Sequence, residues 1–508
     1  MQLEMTPDDL LWEQAEETSD QWLIQFLQYD VLKSIGDFIL THHKGLATEV
    51  GILNKGSYNI SVWTKYQIGA IVIRLSQPGA VMFPEEKIVN EVAIMRFLMD
   101  QTLITIPRIL HSGTKQESPL ELGSFIMMEY IGHKTKMYAA LNTPGCPIEE
   151  RGVLDPYIDE DRLELLYSQL ASVLLQLYLP SLSRIGSLSQ IDEFTWEVTR
   201  RPLTMNTNEL VRIGGLPRSK LPGINTTFET SSSYIEALAD INLEHLIHQR
   251  NDCVDPINPA DDCRRKYIAR QLFRKLAKEK KLTNPLLEKG PFKIWCDDLR
   301  PANVLLKEDS TQIAGVVDWE FTYVAPVEFS YAPPWWLLIE KPEFWAKGIE
   351  DWIRVFGLRL KTFLKAMKDC EDTAIQKGLL REDQRLSGPM YESWESGDFW
   401  IMYAVKHSFA FDEIYWQKID PRFFGPTKDI EGAWKERLGL LDEKERDEME
   451  VLVARKVMEM ETRTLSWDAD EYTLAFHAKL KSREKAKVEN TVEESNDGDL
   501  THEIEATL

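Results

Sequence analysis

Two neighbouring stretches, Trp295–Leu306 (WCDDLRPANVLL) and Gly315–Phe321 (GVVDWEF), decide how the rest of the chain is read. Val304–Leu306 and Ile313–Val317 are apolar and suited to strands, and the polar link Lys307–Gln312 suits a hairpin turn. A hairpin brings its outer ends together, so Asn303 and Asp318 emerge at one end. Asp298 arrives there through the loop preceding the first strand.

Three oxygen-bearing side chains, Asp298, Asn303 and Asp318, therefore converge. An oxygen-only set of this kind suits a hard cation such as Mg²⁺ held on nucleotide phosphates, whereas a purely structural use needs no such trio. The alternative is a fold-holding ion pair built on the same charges.

The pattern Asp-Leu-Arg-Pro-x-Asn at 298–303 resembles the catalytic loop of protein kinases. With Asp318 in its Asp-Trp-Glu setting it is more similar to the aminoglycoside phosphotransferase-like kinases of the phosphotransferase enzyme family, in a eukaryotic, fungal-looking branch. The resemblance covers roughly Gly51–Tyr331. It implies an α+β, bilobed protein-kinase-like fold with a small β-rich N-lobe, a large mainly helical C-lobe and a nucleotide, ATP or GTP, in the cleft. On the same footing Asp298 would act as base or orienter for an acceptor hydroxyl, Arg300 would sit near the transferring phosphoryl group, and Asn303 and Asp318 would hold Mg²⁺.

Other segments fit this resemblance in order along the chain. Asn54–Asn59 (NKGSYN) resembles the loop over the nucleotide phosphates, with backbone N–H groups at Gly56 and Ser57 available for phosphate, although a glycine turn between two strands is an ordinary hairpin in most proteins. The apolar run Ala70–Leu75 presents Arg74 where the family carries a phosphate-binding lysine, and Glu91 sits where a helix carboxylate pairs with that cation. Met128 and Glu129 end a strand that resembles the one leading to the hinge, whose backbone would meet an adenine edge.

The chain also departs from the family. Arg74 replaces a lysine and its fork geometry differs from a point-charge ammonium. Cys296 stands where histidine is usual, one glycine replaces three in the phosphate loop, and Asp297 adds a second acid beside Asp298. These departures motivate a second reading, a catalytically weak or inactive pseudokinase serving as an interaction module. A protein kinase is the third, disfavoured because the segment after Asp318 has no counterpart of the Ala-Pro-Glu anchor.

Organisation follows. Residues 1–50 form an acidic helical extension offering Trp12, Trp22, Leu23, Phe26 and Leu27 to a core, 51–133 the N-lobe, and 134–487 the C-lobe. The C-lobe carries an insertion at about 185–250 and the catalytic loop at 295–320. Between Gly51 and Leu75 the pattern is turn, strand, turn, strand; Pro84 opens a helix; Ile185–Ser233 is irregular. Val488–Leu508 holds seven acids and no Lys or Arg, the composition of a disordered tail. Acceptor specificity is expected from Ile185–Arg250 and Asp351–Phe424. Within the latter, Glu392, Glu395, Asp398, Asp412 and Glu413 could attract a cationic acceptor, or form merely solvated helix faces. Trp335, Trp336 and Phe344 read as core packing or as a pocket wall.

Composition sets the outer limits. The 508 residues carry 59 Lys+Arg against 82 Asp+Glu, a formal charge of −23, which disfavours the basic stripe a nucleic-acid binder needs. The charge-free stretch Leu165–Ser183 has polar residues at helical spacing and reads as a buried helix rather than a membrane span. Eight acids and no Lys or Arg in the first thirty residues oppose a secretory or mitochondrial leader, and five scattered cysteines oppose a disulfide framework. The reading is a cytoplasmic protein with a small-molecule acceptor, no nucleic acid and no membrane, a protein partner being left open. His245, His248, Cys253 and Cys263 could supply zinc ligands, but their spacings match no familiar module.

Overall fold

The computed structural model describes residues 5–147, 150–308 and 311–482; the tail expected at 488–508 lies outside them. Five antiparallel strands form the small sheet: β1 (Ala47–Lys55), β2 (Asn59–Tyr66), β3 (Ala70–Ser76), β4 (Ile109–Gly113) and β5 (Phe125–Glu129), in the order β1-β2-β3-β5-β4. Gly51, expected in a turn, lies inside β1 opposite Trp63, whose indole fills the space a side chain there would need.

Both faces of this sheet are covered, which explains why β3 reads as an almost unbroken apolar run. Side chains alternate across a strand. Ile71, Ile73 and Leu75 of β3, with Ile60, Val62, Phe125 and Met127, pack outward against Trp22, Phe26, Ile35 and Ile39. Val72, Ile126 and Met128 point inward to the main core, and Arg74 shares their side of β3.

The outer layer comes from two helices, α1 (Asp9–Phe26) and α2 (Tyr29–His42), rather than from one continuous helix. Asp8 caps α1 by accepting from the Leu11 N–H, at 3.1 Å. Trp22 and Phe26 dock as expected, whereas Trp12 and Leu27 remain about half exposed, Trp12 near Arg212 and Leu27 just past the end of α1. Phe476 joins the same cluster from the other end of the described chain.

Before α1 the backbone crosses the helical lobe as a strap. Met5 N–H donates to Phe409 O at 3.0 Å, Gln249 Nε2 donates to Thr6 O at 2.7 Å, and Asn251 Nδ2 donates to Asp8 Oδ1 at 2.9 Å.

Helix α3 (Pro84–Gln101) begins with proline in its first turn, where no N–H is missed, and lies beneath the sheet. After the short β6 (Thr135–Lys136) and α4 (Met137–Leu141) comes α5 (Glu160–Tyr178), the buried helix expected near 165–183. Among the described residues no helix is long and apolar enough to cross a membrane. The stretch read as irregular contains a hairpin, β7 (Ser187–Gln190) with β8 (Trp196–Arg200), and α6 (Met205–Ile213), whose start is fixed by a Thr204/Thr207 capping box. Arg201 then forks onto Glu86 of α3 at 3.0 and 2.7 Å.

Helices α7 (Ser231–His248) and α8 (Pro259–Lys278) pack together in the large lobe. Strand β9 (Lys293–Cys296) leads to the hairpin β10 (Val304–Leu306) and β11 (Ile313–Val316), and β12 (Thr322–Ala325) returns to pair with β9. Helices α9 (Val327–Tyr331), α10 (Ile349–Gln376), α11 (Ser387–Ser396) and α12 (Asp398–Lys406) follow. The result is a small β-rich part over a large helical part, the α+β arrangement expected.

Candidate active site

Between the two parts lies a cleft of about 920 Å³. The ten residues to which the resemblance gives a catalytic, nucleotide-binding or metal role all line it: Gly56, Ser57, Arg74, Glu91, Met128, Glu129, Asp298, Arg300, Asn303 and Asp318.

The floor is the β10–β11 hairpin. Val317 N–H donates to Asn303 O at 2.9 Å, which closes the open end of the hairpin and sets Asn303 beside Asp318. Asp318 itself has φ +67°, a left-handed conformation that Asp tolerates better than most residues, and the turn aims its carboxylate up at the sheet. Asp298 is buried. Asn303 Nδ2 donates both to its Oδ2, at 2.8 Å, and to its backbone oxygen, at 2.9 Å, while Arg300 Nε donates to Oδ1 at 2.7 Å. Arg300 is thus paired with Asp298, with much of its side chain still open to solvent.

The roof supplies the opposite charge. Arg74 on β3 donates through Nη1 to Asp318 Oδ1 at 2.7 Å and through Nη2 to Glu91 of α3. The expected arginine–glutamate pair is present, with Asp318 as a further partner.

A second buried pair escaped the sequence reading. Lys87 Nζ meets Glu320, and Asn59 bridges them, accepting from Lys87 at 2.9 Å and donating to Glu320 at 2.9 Å. Lys87 sits in PEEK at the start of a helix, where a lysine ordinarily reads as solvated. The one available signal was the acid two residues after Asp318.

These acids crowd one another. Burial first, then the neighbouring carboxylates of Glu320, Asp298 and Glu91, push Asp318 up to about 7, with Arg74 opposing. Burial also raises Asp298, against Arg300, with Glu320 adding to the rise. Such a set fits a divalent cation: the donors are carboxylate and carboxamide oxygens, and the carboxylates are short of positive charge. Among the described residues no three His, Cys, Asp or Glu side chains form a metal-holding group. Mg²⁺ needs none, since it keeps several waters and takes one or two protein oxygens besides phosphate.

The β1–β2 turn is pinned rather than free. Gly56 N–H donates to Asn59 O at 2.8 Å, Gln77 Nε2 donates to Gly56 O at 2.9 Å, and the Tyr58 hydroxyl donates to Glu209 at 3.0 Å. At the hinge end, Glu129 N–H is spent on Arg108 O at 3.0 Å and Tyr130 N–H on Ala70 O at 2.9 Å. Those two N–H groups belong to the sheet, so the strand leading to the hinge is held in place up to Tyr130.

Cys296 is buried, and burial raises its thiol, so it behaves as packing. Asp297 is held by Met205 N–H at 3.0 Å, Trp295 Nε1 at 2.8 Å and the Tyr323 hydroxyl at 3.1 Å, which gives it a structural place. Of the five carboxylates considered for a cationic acceptor, none lines the cleft. Asp412 is buried against Arg270 at 2.6 Å, and Asp398 pairs with Arg422 at 2.7 Å. Trp335 and Phe344 do line the cleft, whereas Trp336 is core. His245 is buried with Gln249 at 2.8 Å.

The cleft between the two parts is acidic at its floor and capped by arginine at its roof. The model of the Phosphotransferase enzyme family matches residues 52–357, and the chain belongs to that family. Solved structures similar to it include a thermostable mutant aminoglycoside phosphotransferase in ternary complex with AMP-PNP and hygromycin B, at 15% identity over 75% of this chain and 98% of that one, TM-score 0.37. A Plasmodium vivax ethanolamine kinase matches at 13% identity over 83% and 91%, TM-score 0.40. A putative fructosamine-3-kinase from Haemophilus somnus matches at 9% identity over 81% and 96%, TM-score 0.36. No curated protein sequence matches significantly.

Proposed function

We propose that the protein is a phosphotransferase that moves the γ-phosphoryl group of ATP or GTP to a hydroxyl of a small molecule. The observation that carries this reading is the meeting of Asp298, Asn303 and Asp318 at the base of the cleft under Arg74 and Glu91. Asn303 and Asp318 are the residues that would hold Mg²⁺, which supplies charge neutralisation of the phosphates when bound.

The protein's own groups then have distinct tasks. Asp298, fixed from two sides by Arg300 and Asn303, orients the acceptor hydroxyl and accepts its proton as the new O–P bond forms. The bond from the γ-phosphorus to the bridging oxygen breaks, and the nucleoside diphosphate leaves with the electron pair. Arg300 is close enough to Asp298 to face the equatorial oxygens, and Arg74 offers a second cation from above.

A second reading, nucleotide binding without turnover, is favoured by one observation: Arg74 already engages Asp318. Purified protein is to be tested by thermal shift with Mg²⁺ and nucleotides, then by transfer from γ-labelled ATP to a metabolite panel. Asp318→Asn should lose the Mg²⁺-dependent shift. Asp298→Asn should keep it and lose transfer by about 10²–10⁴-fold. Transfer that survives Asp298→Ala rules out this site, and a nucleotide shift with no transfer to any acceptor leaves the second reading.

A further inference from the structure

The end of the cleft away from β5 carries two lysines that the transfer chemistry does not use. Lys406, the last residue of α12, lies with Nζ 3.7 Å from the centroid of the Trp295 ring and 4.6 Å from that of Phe329. Lys341 stands over Trp335 at 5.5 Å. Both line the cleft. Among the described residues neither ammonium has a carboxylate oxygen within 4.0 Å, so each rests on an aromatic face instead.

Glu340, next to Lys341 in sequence, accepts from the Lys341 backbone N–H at 2.9 Å, lies 3.8 Å from Arg151 and lends Lys341 some opposing charge, and the other acids nearby have partners of their own. Asp297 accepts from Met205, Trp295 and Tyr323, Asp298 from Arg300 and Asn303, and Glu343 from the Tyr403 hydroxyl at 2.6 Å. His407 lies between the two lysines electrostatically: burial, then the charges of Lys341 and Lys406, hold its ring well below the ordinary histidine range, and it adds no opposing charge. Burial also pulls Lys406 down to about 7, with Asp297 alone opposing, which describes an ammonium short of a counter-ion.

We propose that the acceptor is a hydroxyl compound bearing an anionic group, carboxylate or phosphate, which Lys341 and Lys406 bind while its hydroxyl faces Asp298. This rests on the phosphotransferase reading and narrows its substrate class. Cationic acceptors such as amino alcohols meet two lysines that, among the described residues, have no carboxylate oxygen within 4.0 Å, and are disfavoured, whereas an anion supplies the charge that favours the protonated form of Lys406.

The test uses the full chain. The Mg²⁺–AMP-PNP thermal shift is recorded first, for wild type and for Lys406→Met, Lys406→Arg and Lys341→Met, as a check on folding and on the nucleotide site. Nucleoside diphosphate release is then followed with glycerate and gluconate, with glycerol 3-phosphate and glucose 6-phosphate, and with ethanolamine and kanamycin. Binding of each compound to the AMP-PNP-loaded protein is measured in parallel by calorimetry. Binding or turnover confined to the anionic arms is expected, and which arm responds separates carboxylate from phosphate. Lys406→Met should raise KM or Kd for that compound by roughly 10-fold or more, the loss of one charge-assisted contact, with the smaller effect on kcat and with partial rescue by Lys406→Arg.

Binding confined to the cationic arm, or no anion binding by protein that still takes up Mg²⁺–AMP-PNP, overturns the proposal and leaves the phosphotransferase reading standing. Unchanged anion affinity in both Met variants also overturns it. Failure of wild type to bind Mg²⁺–AMP-PNP overturns the phosphotransferase reading itself.

Discussion

Arg74 Nη1 donates to Asp318 Oδ1 across 2.7 Å, joining residues 244 positions apart and spanning the cleft from roof to floor. Asp318 Oδ1 therefore already faces a protein cation on the carboxylate that the phosphotransferase reading assigns to Mg²⁺. Arg74 keeps Glu91 as its second, fully buried partner.

Arg74→Lys separates these two duties. A lysine carries its three donors on one atom of a shorter side chain and cannot span two separated carboxylates as the guanidinium does, so it should stay with the buried Glu91 and hold Asp318 more loosely. Stronger Mg²⁺–nucleotide binding by calorimetry is expected, and weaker binding contradicts the account. Arg74→Met should instead destabilise the fold by about 3–5 kcal/mol in urea unfolding, because Glu91 is left buried and unpaired.

The Lys87–Asn59–Glu320 group joins α3, β2 and the loop after Asp318. Removing either charge alone strands the other, so Lys87→Met and Glu320→Gln should each cost about 3–5 kcal/mol. The double variant should recover much of that loss. A double-mutant cycle in denaturant reads the coupling directly, and additive costs would show that the two groups do not interact.

Gly56 offers a cleaner probe of ligand approach. Its φ is not positive, and a Cβ there would lie 3.4 Å from Asn59 O, an ordinary contact. Gly56→Ala should therefore leave stability within about 0.5 kcal/mol. A weakened Mg²⁺–nucleotide shift in that variant then reports a steric clash with phosphate rather than damage to the turn.

Stability should decline toward both ends of the pH range. Glu328, raised by burial to about 7, keeps its proton in the fold after the unfolded chain has lost it near the ordinary 4.5, so stability falls as pH rises between these values. Glu328→Gln should remove that contribution, so in melts from pH 4.5 to 8 its stability should gain on wild type as pH rises. His245 behaves oppositely: burial first, with Arg270 adding, lowers it to about 3, so stability falls as pH drops from about 6.5 toward 3. The two contributions oppose each other between about 4.5 and 6.5, so each is read as the difference between wild type and its variant, and a Glu328→Gln difference that does not change with pH contradicts the Glu328 assignment.

What the sequence could disclose was set by distance along the chain. Asp298, Asn303 and Asp318 lie within one hairpin and its approach, so short-range strand and turn chemistry was enough to bring them together. The Arg74–Glu91 pair was legible only through resemblance, and the Asp318 contact not at all. Lys87 looked like a surface lysine because Glu320, its partner, is 233 positions away. The acids from Glu392 to Glu413 were legible as charges but not as places; Asp412, beyond α12, is consumed by Arg270, and the cations Lys341 and Lys406 reach the cleft in their stead. The break after Phe26 carries no glycine or proline and was read through.

The strap formed by Met5–Asp8 has a bearing on synthesis. Its seats are Ile213, residues 249–252 and Phe409, so in a chain emerging N-terminus first the last of these contacts, Met5 with Phe409, waits until Phe409 is made. At roughly 5–20 residues per second that is a wait of about 20–80 s. Phe476 closes the outer layer of the small sheet later still. The sheet is thus translated early but finished late, and a ribosome stalled before residue 409 should carry it in a protease-sensitive form.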